Sequence, residues 1–176
     1  MTTVLLGGGN LSRRIFDFLG RAVAPAVPVS LLGHRTVLCA APEILAAELP
    51  EAVSIRGEHT AVVLSEPDCF PALHRLGESV VILNTIGGEL PPGADHWGKV
   101  ITCGLGMRDT LTFSSLTREG AVVSLGRSLR DFSGAWIEPE EFPLALGGPR
   151  EPFFLLAAVA ILLVSGQKGL ISRLTF

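Results

Sequence analysis

Short apolar runs recur along the chain, each closed by glycine, proline or a polar turn. Val4–Leu6, "TAVVL" at 60–64, "VVIL" at 80–83 and "VITC" at 100–103 are runs rather than strict alternations. That is the pattern of strands covered on both faces. Val29–Leu32 and Thr36–Cys39 are two further predicted strands. Between the first runs the period changes. Leu11, Ile15, Phe18, Leu19 and Ala22 fall on one helical stripe, which predicts a helix over Leu11–Val23. Asn10 is placed to cap it, and Pro25 and Pro28 close it. Helices are also predicted over Pro42–Leu49, with proline at its start, and over Glu66–Leu76.

From about Thr110 to Leu146 the pattern shifts to "TLTFSSL", "AVVSL" and "AWIEPEEFPLAL", β segments with turns but no helix between them. These predict antiparallel strands at one edge of a sheet. The run "FFLLAAVAILLV" at 153–164 reads as a buried closing helix over about 152–164. It is shorter than the ~18–20 residues needed to cross a bilayer. Strands alternating with helices predict one α/β domain over residues 1–176. The expected architecture is a three-layer α/β/α arrangement with a mostly parallel sheet and an antiparallel β extension.

A chain of 176 residues buries about 70% of its unfolded surface, enough for a full core. Charged residues make up 18%, against about 25% in a typical soluble domain, while apolar residues reach 48%. Buried strands account for this. So would an apolar surface covered by a protein partner or a second copy. The net charge of −3 and the absence of a basic stripe argue against nucleic acid. Arg13 with Arg14, and Arg127 with Arg130, read as solvated pairs. Cys39, Cys69 and Cys103 are widely spaced, which argues against disulfide scaffolding and structural zinc and predicts buried thiols. No basic segment followed by an apolar one opens the chain, so a cytoplasmic protein without membrane contact is expected.

The chemistry gathers at the turn after the first strand, where Gly7, Gly8, Gly9, Asn10 and Ser12 precede a helix. Gly7, Gly9 and Ser12 fit a dinucleotide fingerprint with serine in the third place. That fingerprint also needs an acid about 20 residues on; Gly33-His34-Arg35 stands there instead, where His34 and Arg35 suit a 2′-phosphate. A P-loop would need a lysine, which the turn lacks. Otherwise the glycines only turn the chain, or leave a helix N-terminus free for an anion. Ser65-Glu66 and Asp68 follow a strand end, where open α/β sheets bind ligands. Asp95-His96 reads as loop polarity, and Glu138, Glu140 and Glu141 as a solvated turn.

Three segments together resemble the central domain of the Mur ligase family, the ATP-dependent amide-forming ligases of cell-wall synthesis and their polyglutamate-synthesising relatives. Gly8-Gly9-Asn10-Leu11-Ser12-Arg13-Arg14 stands where that family carries its P-loop; Asn10 matches, Ser12 replaces the lysine, and Arg13 and Arg14 replace the threonines. Asn84, Thr85 and Ile86 echo its strand-end motif, without the Asp-His pair that follows. Gly148, Ala157 and Ala158 match the motif that leads into its apolar helix. There Arg150, Glu151 and Phe154 replace polar residues. Glu66 falls where the family places a carboxylate associated with Mg²⁺. The resemblance implies the ligase scaffold without its nucleotide chemistry: no cofactor, no metal, no catalytic residue. It implies an accessory or interaction role, in partnership with another protein or a second copy. The nucleotide or anion candidates are then Gly7, Gly8, Gly9, Asn10 and Ser12, and the other cleft candidates Glu66, Asn84 and Thr85. The alternative is a small Rossmann-like protein holding a nucleotide or dinucleotide at Gly7–Ser12.

Overall fold

The computed structural model describes residues 1–7, 9–49, 58–66, 79–88, 90–91, 94 and 97–176, apart from the side chain of Leu49. Val4 lies in an interior strand of the sheet, beside Ala46 on one side and Ala61 on the other. Its strand, β1 (Thr2–Gly7), pairs in parallel with β3 (Ile44–Leu49) and β4 (Thr60–Leu64). Outward from β3 lies β2 (Val29–Leu32). Outward from β4 lie β5 (Val80–Asn84), β6 (Lys99–Cys103) and β7 (Leu111–Leu116), all in parallel pairing. The antiparallel strands β8 (Gly120–Leu125) and β11 (Glu141–Ala145) complete a nine-stranded sheet among the described residues. A separate hairpin joins β9 (Leu129–Arg130) to β10 (Trp136–Ile137). The α/β class, the mostly parallel sheet and the antiparallel extension are as the sequence predicts.

The sheet separates two cores by simple alternation. Val4, Leu6, Ala61, Val63, Val80 and Ile82 face one side, where α1 (Gly9–Phe18) and α2 (Pro152–Val164) pack. Val62, Leu64, Val81 and Leu83 face the other, with Ala94 and Trp97. The helix predicted over Glu66–Leu76 lies almost wholly outside the described residues. Every residue of α2 from Phe153 to Val164 is buried, so no amphipathic stripe was there to read. Pro152 opens it, and the Glu151 carboxylate accepts hydrogen bonds from the N–H groups of Phe153 (3.0 Å) and Phe154 (2.8 Å). Phe18 of α1 meets Phe154 edge-on at 5.6 Å.

Four expectations are corrected. The segment predicted as a helix over Pro42–Leu49 contains strand β3. Its sequence, "ILAAEL", is rich in helix formers, yet pairing with β1 and β2 on both edges overrides that preference. Thr36–Cys39 is no regular strand: Val37 makes one antiparallel bridge to Leu31, with N···O distances of 2.7 and 3.0 Å. Asn10 does not cap α1; the helix starts at Gly9, and Asn10 is exposed within its first turn. Cys39 is exposed, whereas Cys103 is buried as expected, and Cys69 lies outside the described residues.

Candidate functional site

The chain leaves β1 toward β2 and β3 on one side, then returns to β4 on the other. The sheet therefore changes direction between β1 and β4, the place where open α/β folds form a ligand crevice at the C-terminal strand ends. Gly7 ends β1 there, paired with Leu64. Ser12, buried on α1, donates its hydroxyl back to the Gly7 carbonyl at 2.9 Å. Ser65, just past β4, donates to the same carbonyl at 3.2 Å. The Ser65 carbonyl accepts from Asn84 Nδ2 at 3.0 Å, and Asn84 Oδ1 accepts from the Ile86 N–H at 3.0 Å. One polar chain thus ties α1, β1, β4 and β5 together.

Glu66 meets the glycine turn directly. A Cβ built on Gly9 would stand 2.3 Å from Glu66 Oε1, so the carboxylate lies against the start of α1. Gly9 has φ +23°, so a side chain there would be strained as well as crowded. The unpaired N–H groups and the dipole of a helix N-terminus favour a negative charge at this position.

Thr85 joins a second cluster that the sequence reading missed. Its hydroxyl donates to Asp109 Oδ1 at 2.6 Å, and Asp109 Oδ2 accepts from the Gly106 N–H at 2.9 Å. Gly104 is required beside them: an added Cβ would lie 2.3 Å from Asp109 Oδ2 and 2.4 Å from Thr85 Oγ1. The available signal was "CGLGMRD", a strand end with two glycines and an acid, a composition typical of a tight turn. Burial pushes the neighbouring Cys103 thiol well up, and the Asp109 charge adds to the effect. That thiol is an inert core group.

One cation next to the turn is engaged elsewhere: Arg14 places its guanidinium 5.5 Å from the centre of the Phe154 ring. The positive charge of Arg13 favours the ionised form of Glu48 of β3. Glu48 also accepts from the His34 N–H at 2.6 Å, and its Oε1 lies 3.0 Å from His34 Nδ1. Partial burial works to raise the Glu48 pKa, but the His34 hydrogen bonds and the charges of His34 and Arg13 outweigh it and hold it below the usual value. His34, expected as a 2′-phosphate partner, is therefore committed to carboxylates, with Asp17 a further 3.6 Å away. Glu48 ends the strand beside β1, where a ribose-binding acid would stand; reading β3 as a helix hid it.

Of the predicted residues, the fold unites Gly7, Ser12 and Asn84 through Ser65, and brings Glu66 onto Gly9. Thr85 belongs to the adjoining Asp109 cluster, and Asn10 is exposed on the first turn of α1. Gly8, Asp68, Asp95 and His96 lie outside the described residues. Among the described residues no three His, Cys, Asp or Glu side chains gather as a metal site.

This sheet order, with an antiparallel extension and an apolar closing helix, defines a Mur-ligase-like α/β fold. Solved structures bear the likeness out. MurF from Acinetobacter baumannii superposes with a TM-score of 0.62 at 11% identity, over 99% of this chain and 46% of that one. The UDP-N-acetylmuramoylalanyl-D-glutamyl-2,6-diaminopimelate--D-alanyl-D-alanyl ligase from the same organism gives 0.58 at 11%, with the same coverage. MurF ligase from Thermotoga maritima, in complex with ADP, gives 0.57 at 12%, over 96% of this chain and 45% of that one. The chain therefore spans less than half the length of these ligases. No protein-family model and no curated protein sequence matches it. Among the described residues no helix is long and apolar enough to cross a membrane.

Proposed function

We propose that the chain is a Mur-ligase-like domain that has lost nucleotide chemistry and serves as an accessory or interaction module in cell-wall or polyglutamate metabolism. The observation that carries this reading is Ser12, which stands where the resemblance places the P-loop lysine and turns its hydroxyl back to the Gly7 carbonyl at 2.9 Å. Phosphoryl transfer depends on cations clamped around the transferred group. Here the turn has no lysine, and Arg14 lies over the Phe154 ring. An interaction role draws support from the loops after β5 and β6, which expose Leu90 (55%), Leu105 (60%) and Met107 (100%). A second copy or another protein would cover them.

Isothermal calorimetry with ATP and Mg²⁺ tests the reading, with light scattering for self-association. No saturable heat is expected from ATP–Mg²⁺, NADH or NADPH. Saturable, metal-dependent ATP binding would overturn the proposal. Saturable NADH or NADPH binding that is lost in Gly9→Val would replace it with the dinucleotide reading.

A further inference from the structure

At the opposite end of the strands lies an open cavity of about 520 Å³, a size typical of small-molecule sites. Val80, Ile101 and Leu129 line it, with Trp136 and three cations: Lys99, Arg127 and Arg130. No carboxylate among the described residues lines it. A chain with a net charge of −3 thus concentrates three of its 14 Lys and Arg residues in one cavity. Such a concentration makes a local field opposite in sign to the whole molecule.

The cations are also free to act. Lys168, the chain's other lysine, pairs with Glu140, whereas Lys99 has no carboxylate partner among the described residues. Arg127 donates one hydrogen bond, to the Arg108 carbonyl. Arg130 sits with its guanidinium 4.3 Å from the centre of the Trp136 ring. Stacking uses the face of a guanidinium and leaves its N–H edge for an acceptor. Trp136 is 59% exposed, a large apolar surface to leave in water. The acids adjoining this lining are engaged elsewhere: Glu138 accepts from the Ser128 hydroxyl at 2.8 Å, Asp131 from the Ser133 and Ala135 N–H groups, and Asp109 from Thr85 and Gly106.

We infer that this cavity binds a small amphipathic organic anion, its apolar body against Ile101, Leu129 and Trp136 and its carboxylate, sulfonate or phosphate toward Lys99, Arg127 and Arg130. The apolar floor supplies non-directional attraction, and the cations supply charge-assisted hydrogen bonds. This site shares no residue with the glycine turn and stands whether or not the proposed function does.

The test is a fluorescence titration of the full chain with 8-anilinonaphthalene-1-sulfonate, against uncharged N-phenyl-1-naphthylamine. Saturable one-to-one binding of the sulfonate is expected. Lys99→Gln and Arg127→Gln should each weaken it about tenfold, the scale of one lost charge-assisted hydrogen bond. The uncharged probe should bind at least as weakly as the sulfonate does to these variants. Both substitutions are at exposed positions, and unchanged melting curves show that the variants fold. Equal affinity of the two probes, or sulfonate binding unaltered in both variants, would overturn the inference.

Discussion

The two ends of the parallel strands carry opposite polar economies. At the C-terminal end, Ser12, Ser65, Asn84, Thr85 and Asp109 bond to the protein itself, and Glu66 lies against the α1 N-terminus. At the N-terminal end of β5 and β6, three cations and an aromatic surface face an open cavity. Position in an α/β fold favours the first end as a ligand site. Unspent hydrogen-bonding capacity and charge favour the second. Topology says where a crevice forms; the local polar balance says whether anything is left to bind with.

Stability measurements can break this contrast, because self-satisfied groups should hold the fold and free ones should not. The largest loss is expected from Gly104→Ala, whose methyl has no room between Thr85 and Asp109. Overpacking of this kind costs about 3 kcal/mol, readable as a lowered denaturant midpoint. Asn84→Ala removes bonds to Ser65 and Ile86 and should cost about 2 kcal/mol in the same assay. Ser12→Ala should cost about 1 kcal/mol, since Ser65 still donates to Gly7. Lys99→Gln should stay within about 0.5 kcal/mol of the parent, as an exposed cation without a carboxylate partner among the described residues does. If Asn84→Ala were as harmless as Lys99→Gln, the contrast would fail.

A pH series sharpens the contrast at β3. Folding lowers the Glu48 pKa from an ordinary 4.5, so the folded chain binds this proton more weakly than the unfolded one. The resulting stabilisation is present above pH 4.5 and fades as the pH falls through the lower folded value. In Glu48→Gln the melting temperature should therefore depend less steeply on pH below 4.5. An identical acid profile in the two proteins would show that the His34 contacts of Glu48 do not hold this strand end.

Much of the fold was legible because burial is written locally. Val4–Leu6, Val62–Leu64 and Val80–Leu83 are apolar at every position, as strands covered on both faces must be. The closing helix was legible for the same reason, down to Pro152 at its start. The site was legible only as a list. Gly7, Ser12, Glu66 and Asn84 each follow a strand end or open a helix, and that marked them. Nothing in the sequence could show that Ser65 bridges Gly7 to Asn84, or that Asp109 receives the Thr85 hydroxyl 24 residues away.

The amino-acid order alone therefore determined the α/β class, the central strands and the buried closing helix, through hydrophobic period and turn residues. Tertiary structure decided that "ILAAEL" is a strand, because a backbone with partners on both edges gains more than its side chains prefer. It also decided which polar groups spend themselves on one another and which remain free. That depends on distances between strand ends far apart in sequence, and no local pattern encodes such distances.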